Sequence, residues 1–369
     1  MRKDNNYYID LAIALALKAK GKTWPNPMVG ALVVKNGRIV GKGFHEAAGL
    51  PHAEIMALEQ AGKRAEGATL YVTLEPCAHF GRTPPCVNRI IKCGIKKVVI
   101  GMDDPNPLNN GKGIEILRKN NIEVECGFCQ EKLRKINEVF IKYITQKIPF
   151  VTVKAAQSLD GKIATVVGDS KWVTSDASRN YANRMRRHFD AIMVGVNTII
   201  RDDPELSCRL PKPLKKQPVK IIVDSHLSTP HNAKIFQGSG KVIIATLKSQ
   251  KGQETDNRTI LGEKSTILEV KERNGQVNLY DLMKKLAKLE IANILVEGGG
   301  SLIGSLFDEC LVDKVLFFIA PKIIGGKEAI GSVEGRGARE LVKAPYINDI
   351  SFKKIDSDFL IEGYVRYFR

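Results

Sequence analysis

Three proline-anchored motifs constrain the fold of this chain more than any other feature. Pro51-His52-Ala53-Glu54 is followed by Pro76-Cys77 and then Pro85-Cys86, with 24 residues between His52 and Cys77 and eight between the cysteines. One imidazole and two thiolates suit a borderline-soft zinc ion, so the fold has to bring separate segments to one point. Three protein ligands leave the fourth tetrahedral position open to water, the layout of a catalytic site; a structural zinc needs a fourth side chain. Glu54 lies two residues beyond His52, close enough to move a proton of that water. Pro51 is expected in the first turn of a helix carrying His52 and Glu54. Thr83 is expected to cap a second helix with Pro84 at its first position. Cys86 then lies near the positive end of a helix dipole, which favours its thiolate. Buried cysteines and a helical histidine can coincide by chance, but not readily in one window with two Pro-Cys pairs.

Around these motifs the sequence alternates between helix and strand periods, which predicts an α/β chain. Helices are expected over 7–20, 52–61, 84–93, 111–120 and 130–144. A hairpin turns at Asn36-Gly37, and strands are expected over 69–73, 97–101 and 123–126. The chain changes near Gln146–Pro149, so the expected domains are 1–147 and 148–369. The second domain alternates again, with strands over 151–156, 191–195, 220–224, 241–246, 294–297 and 314–319. Its helices are expected over 175–187, 279–289 and 301–308, and the polar stretch 247–264 reads as a surface excursion.

The formal charge of +17 is spread over both halves. It favours phosphorylated metabolites, phosphate-bearing cofactors or nucleic acid, and is equally compatible with a solvated lysine-rich surface. No apolar run approaches the roughly 18 residues of a membrane span. Asp10 interrupts the apolar stretch after Arg2 and Lys3, so an amphipathic first helix is expected in place of a signal peptide, and the location is expected to be cytoplasmic. Seven cysteines without a secretory signal are expected to be reduced. Cys126-Gly127-Phe128-Cys129 has the spacing of a redox pair or half a zinc site, but no partner pair accompanies it. It is read as two incidental buried thiols, as are Cys93, Cys208 and Cys310.

The His-x-Glu and Pro-Cys pattern is the zinc-deaminase signature, in which activated water attacks an amidine-like carbon and ammonia leaves. The nucleic-acid and cytidine deaminases usually carry Pro-Cys-x-x-Cys. Here Ala78-His79-Phe80-Gly81-Arg82-Thr83-Pro84-Pro85 separates the cysteines. That insertion resembles the deaminase domain of the bifunctional riboflavin-biosynthesis deaminase–reductases. Thr23-Trp24-Pro25-Asn26-Pro27 and Gly43-Phe44-His45-Glu46-Ala47-Ala48-Gly49 are similar to that family's early loops. The resemblance implies a cytidine-deaminase-like fold in which Asn26, His45 and His79 line the pyrimidine and phosphate pocket. Taken singly, a capping Asn and two loop histidines would need no such role.

Val296-Glu297-Gly298-Gly299-Gly300-Ser301 lies between an apolar strand and a helix, where glycines let amides approach a phosphate. A tight turn would serve as well. Lys154–Lys162, Gly195–Thr198 running to Asp202–Leu206 and Arg209, and Ala320–Lys322 with Gly325-Gly326 resemble the reductase domain of the same family. That resemblance implies a dihydrofolate-reductase-like fold and NADPH as cofactor. By motif, Gln157, Trp172, Thr198, Asp202, Gly299, Gly300 and Ser301 contact NADPH. Ser170, Arg186, Leu206, Arg209 and Glu297 contact the sugar phosphate, and Lys154 lies near the reacting centre. Arg186 and Arg209 suit phosphate clamps, since a guanidinium binds phosphate through a fork.

The expected function is zinc-dependent deamination of a phosphorylated pyrimidine followed by NADPH-dependent reduction of its ribosyl group. The resemblance further implies a homo-oligomer, while the eight-residue cysteine spacing and the even charge distribution argue against a nucleic-acid partner, and the short apolar runs against a membrane one. A nucleic-acid deaminase with an RNA-binding appendage, and a zinc-stabilised protein without catalysis, are the competing readings.

Overall fold

The computed structural model describes residues 4–248 and 256–368. The chain separates into two compact units, one ending at Ile148 and one starting at Pro149. Among the described residues no helix is long and apolar enough to cross a membrane.

The first unit runs α1 (Asn5–Ala16), β1 (Gly30–Lys35), β2 (Arg38–Phe44), α2 (Ala53–Ala61), β3 (Thr69–Leu74), α3 (Cys86–Lys92), β4 (Lys97–Met102), α4 (Lys112–Lys119), β5 (Glu123–Cys126), α5 (Gln130–Ile136) and α6 (Glu138–Gln146). Its sheet has the order β2-β1-β3-β4-β5. β3, β4 and β5 are parallel, while β1 is antiparallel to β2 and β3. Asn36 and Gly37 both take positive φ, as the tight β1–β2 turn demands. Central strands covered on both faces read as unbroken apolar runs, and Val98, Val99 and Ile100 are fully buried. Helix α2 lies unusually close to the hairpin. A Cβ on Gly41 would sit 2.1 Å from the Ala57 carbonyl oxygen, and one on Gly43 would sit 2.4 Å from that of Ala53. These glycines therefore set the depth of the helix start that carries the metal motif.

The helix expected over 130–144 is two helices, broken at Asn137. Its buried side-chain amide accepts from the Met28 N–H at 2.8 Å and donates to the Met28 carbonyl at 3.2 Å. It thus satisfies both backbone groups of Met28 at the break between the helices.

The second unit runs β6 (Phe150–Ser158), α7 (Asp176–Met185), β7 (Ala191–Gly195), α8 (Val196–Asp202), β8 (Val219–Val223), β9 (Val242–Leu247), α9 (Asp256–Lys264), β10 (Thr266–Val270), a ribbon of β11 (Glu272–Arg273) and β12 (Gln276–Val277), α10 (Leu279–Lys288), β13 (Asn293–Val296), α11 (Gly300–Asp308), β14 (Lys314–Ala320), β15 (Tyr346–Ile355) and β16 (Asp358–Arg366). The main sheet has the order β10-β9-β8-β7-β13-β6-β14-β16-β15, parallel as far as β14 and antiparallel beyond. Part of the expected surface excursion over 247–264 lies outside the described residues. Its end is helix α9, whose Leu261 is buried.

Candidate functional sites

In the first unit, His52 is the N-cap of α2 and Pro51 precedes the helix, one position earlier than the sequence suggested. The His52 ring makes no cap; it turns toward the cysteines. Its Nδ1 lies 3.2 Å from Cys86 Sγ and 3.6 Å from Cys77 Sγ, while Nε2 lies 3.2 Å from Thr83 Oγ1. All three candidate ligand atoms lie within 4.8 Å of one another. Zn–S and Zn–N bonds of about 2.3 and 2.0 Å give tetrahedral edges of about 3.5–3.8 Å, so the donor set fits zinc in spacing as well as chemistry. It is the only such group among the described residues.

Helix α3 begins at Cys86, with Pro85 as N-cap. The expectation of a Thr83 cap is therefore corrected: that hydroxyl is engaged by His52. The free amide at the helix start goes to the other sulfur, since Cys86 N–H donates to Cys77 Sγ at 3.3 Å. The Cys86 thiol and the His52 ring bring the Cys77 pKa down to about 4 against the opposing effect of burial. Cys86, the donor of that pair, is held well above the usual thiol value. Glu54, in the first turn of α2, is 3% exposed. Burial raises its proton affinity above the ordinary carboxyl value, and the nearby His52 only partly opposes this.

His45 lies edge-on to His52, with ring centroids 5.2 Å apart. Its Nδ1 lies 3.2 Å from the Pro51 carbonyl and its Nε2 lies 3.1 Å from Asn26 Nδ2. A neutral ring satisfies both contacts, with Nδ1–H donating to Pro51 and Nε2 accepting from Asn26; burial lowers the His45 pKa in keeping with this. The structure thus joins Asn26 and His45 to the His52 cluster. His79 has a buried Nδ1 without a hydrogen-bond partner.

Two supporting residues had no sequence signal. Asn109 Oδ1 accepts from the Ala78 N–H at 2.8 Å and so fixes the loop after Cys77. Glu75 accepts from the N–H groups of Asp104, Gly111, Gly113 and Ile114, tying the strand before Cys77 to the start of α4. Cys126 and Cys310 are exposed and Cys129 is half-buried, so the description as buried thiols holds for Cys208 alone among the remaining cysteines.

In the second unit, a cavity of about 730 Å³ opens at the carboxyl ends of β6, β7 and β13. Parallel α/β sheets place their ligands at that edge. The lining includes Lys154, Ser170, Trp172, Arg186, Thr198, Asp202, Leu206, Arg209, Glu297, Gly299, Gly300 and Ser301. Gln157 is the exception: it is buried in β6 outside the lining, and its Oε1 has no partner. The register explains the centre of the cavity. Val296 of β13 pairs with Val153 of β6, which sets Glu297 beside Lys154. Arg186 grips Glu297 through two bonds, Nε–Oε1 at 2.7 Å and Nη2–Oε2 at 2.9 Å. Its Nη1 donates to the Ser207 carbonyl at 2.8 Å. The fork expected to clamp phosphate is thus committed to a carboxylate.

Lys154 Nζ is 4.0 Å from Glu297 Oε2. Burial raises the Glu297 pKa, but Arg186 and Lys154 outweigh it and leave the group below its ordinary value. Burial brings Lys154 below its ordinary value. Arg209, by contrast, has its backbone held on both sides by the Asn183 amide and its side chain exposed.

Trp172 is 62% exposed, with the Arg179 guanidinium 4.3 Å above its ring. Ser170 donates to Asp202 at 3.2 Å. The glycine loop is tight for a reason beyond phosphate. A Cβ on Gly300 would meet the Gly331 carbonyl oxygen at 2.2 Å, because residues 331–335 cross the start of α11. Ser301 Oγ donates to Glu334 at 2.6 Å. No local pattern announces Glu334, which lies 33 residues further along the chain.

Comparison with known proteins covers both units. Residues 2–102 match the cytidine and deoxycytidylate deaminase zinc-binding region, and residues 149–361 match the RibD C-terminal domain. The chain is 49% identical to riboflavin biosynthesis protein RibD of Aquifex aeolicus, over 93% of this chain and 94% of that protein. It is 36% identical to the Escherichia coli protein of the same name, over 95% and 96%. Among solved structures, Acinetobacter baumannii RibD superposes with a TM-score of 0.88 at 34% identity, covering 99% of this chain and 100% of that one. A Thermotoga maritima structure described as a diaminohydroxyphosphoribosylaminopyrimidine deaminase/5-amino-6-(5-phosphoribosylamino)uracil reductase gives 0.83 at 37% identity, covering 98% and 99%.

Proposed function

The chain belongs to the bifunctional deaminase–reductase family of riboflavin biosynthesis, and we propose how its own residues divide the two reactions. The first is hydrolytic deamination of 2,5-diamino-6-(5-phosphoribosylamino)pyrimidin-4(3H)-one. The second is NADPH-dependent reduction of the ribosyl group to give 5-amino-6-(5-phosphoribitylamino)uracil.

In our reading, deamination belongs to residues 1–147. His52, Cys77 and Cys86 would hold a zinc ion, which when bound would supply Lewis-acid activation of the attacking water. Glu54 would act as base toward the attacking water and then as acid toward the departing amine. Burial raises its proton affinity, which favours the acid role toward the amine. Thr83 holds the far side of the His52 ring. Asn26, His45 and His79 receive the pyrimidine and its phosphate.

Reduction belongs to residues 148–369. NADPH, when bound, would supply the hydride for C1′ of a ribosyl ring opened to an imine. Trp172, Thr198, Asp202 and the loop Gly299–Ser301 hold the cofactor, and Gln157 supports it from behind the lining. Ser170, Leu206, Arg209 and Glu297 hold the sugar phosphate, with Lys154 facing the reacting carbon. Arg186 is a positioning residue, because its fork orients Glu297. We further read the enzyme as a cytoplasmic homo-oligomer that does not act on nucleic acid. The family likeness supports the first part and the eight-residue spacing between the cysteines supports the second.

The observation that carries this proposal is the convergence of His52, Cys77 and Cys86 beside a carboxyl group sealed from water. Chelation of the metal tests it. Ammonia release should stop while NADPH oxidation with supplied deaminated substrate continues. Loss of both activities in a protein that stays folded would refute the division of labour.

A further inference from the structure

Strand β8 lies inside the large sheet and is apolar except for Lys220, which is fully buried at 0% exposure. A buried ammonium is retained where partners offset its desolvation. One partner is the Ile235 carbonyl, which accepts from Lys220 Nζ at 3.0 Å. The second approach is toward Gly238. A Cβ built there would lie 3.0 Å from Lys220 Nζ and 2.7 Å from Glu205 Oε1, so the absent side chain leaves the two opposite charges room to converge. Burial brings Lys220 below its ordinary pKa, and the Glu205 carboxylate opposes this.

Glu205 lines the reductase cavity, whereas Lys220 does not. Its Oε1 also accepts from Ser207 Oγ, which closes a tight turn around Leu206, whose φ is 55°. A leucine holds that left-handed conformation only where its surroundings impose it. The Ser207 carbonyl then accepts from Arg186 Nη1 at 2.8 Å, and Arg209 follows at the cavity.

We propose that Lys220 is a positioning residue of the reductase: through Glu205 it fixes residues 205–209, the loop that presents Leu206 and Arg209 to the sugar phosphate. This rests on the reductase assignment above. A lysine that only fills the core and holds the turn at Lys234–Phe236 would support stability without favouring either ligand.

The test compares the full chain with Lys220→Met, Glu205→Gln and the double variant. For each, the KM for deaminated substrate, the KM for NADPH and the melting temperature are measured. Lys220→Met should raise the KM for the pyrimidine about tenfold and leave that for NADPH unchanged. The double variant should be no worse than Glu205→Gln alone, because the lysine acts through that carboxylate. If Lys220→Met does not fold, shown by loss of NADPH binding, Gly238→Ala is read instead. Its methyl group displaces the Glu205 carboxylate while both charges stay, and should raise the same KM about threefold. An unchanged KM for the pyrimidine, an equal rise for both ligands, or additive effects in the double variant would overturn the proposal. Failure of the parent itself to oxidise NADPH with this substrate would instead refute the reductase assignment.

Discussion

At the scale of single residues, burial and charge oppose each other differently in the two units. Glu54 has no cation close enough to cancel its desolvation, so its proton is held more tightly than usual. Glu297 is also largely enclosed but faces Arg186 and Lys154, so its carboxylate is favoured. Glu297→Gln leaves two half-buried cations without their anion and should destabilise the unit by about 1–3 kcal/mol. The double variant Arg186→Met with Glu297→Leu should cost less than that single change, as denaturant midpoints would reveal. The pH dependence follows in sign. The stabilisation that Glu297 gains from a lowered pKa is present above the unfolded carboxyl value and is lost as pH falls through the folded value. Acid unfolding of the parent should therefore carry a component that Glu297→Gln lacks.

At the scale of elements, spacing and register make the sites. Gly43 allows α2 to approach β2, and replacement by Val should cost about 1–3 kcal/mol by overpacking. It should also weaken zinc retention, measured by metal content after dialysis, because the displaced helix start carries His52 and Glu54. Asp190, at the start of β7, accepts from the Ala292 and Asn293 N–H groups, at 2.9 and 3.0 Å, while burial raises its pKa to about 6. Its contribution is fully present below the unfolded value and is lost as pH rises through about 6. Asp190→Asn should therefore gain melting temperature relative to the parent between pH 5 and 7; a constant difference would contradict the assignment.

Most of these elements were legible because their apolar runs have the right length and period. The metal motif was legible because its donors are chemically distinctive. The β15–β16 hairpin was not, since Ile350 and Phe352 of β15 are exposed among lysines and leave no clean alternation. Asn137 was missed because its partner Met28 is 109 residues away. The pairing of Arg186 with Glu297 was not legible for the same reason, as the two are 111 residues apart.

At the scale of the molecule, two units of different architecture carry two reactions, and each has its polar centre assembled from its own strands and helices. A fragment of residues 149–369 should therefore fold and bind NADPH; a soluble fragment that fails to bind it would place the boundary or the cofactor site elsewhere. The most direct measurement compares Glu54→Gln with the parent, following ammonia release from the diaminopyrimidine phosphate and NADPH oxidation with supplied deaminated substrate in parallel. The variant should retain its zinc, lose ammonia release by about 10²–10⁴-fold and keep its NADPH oxidation. Ammonia release close to that of the parent, from a variant with full metal content, would contradict the account.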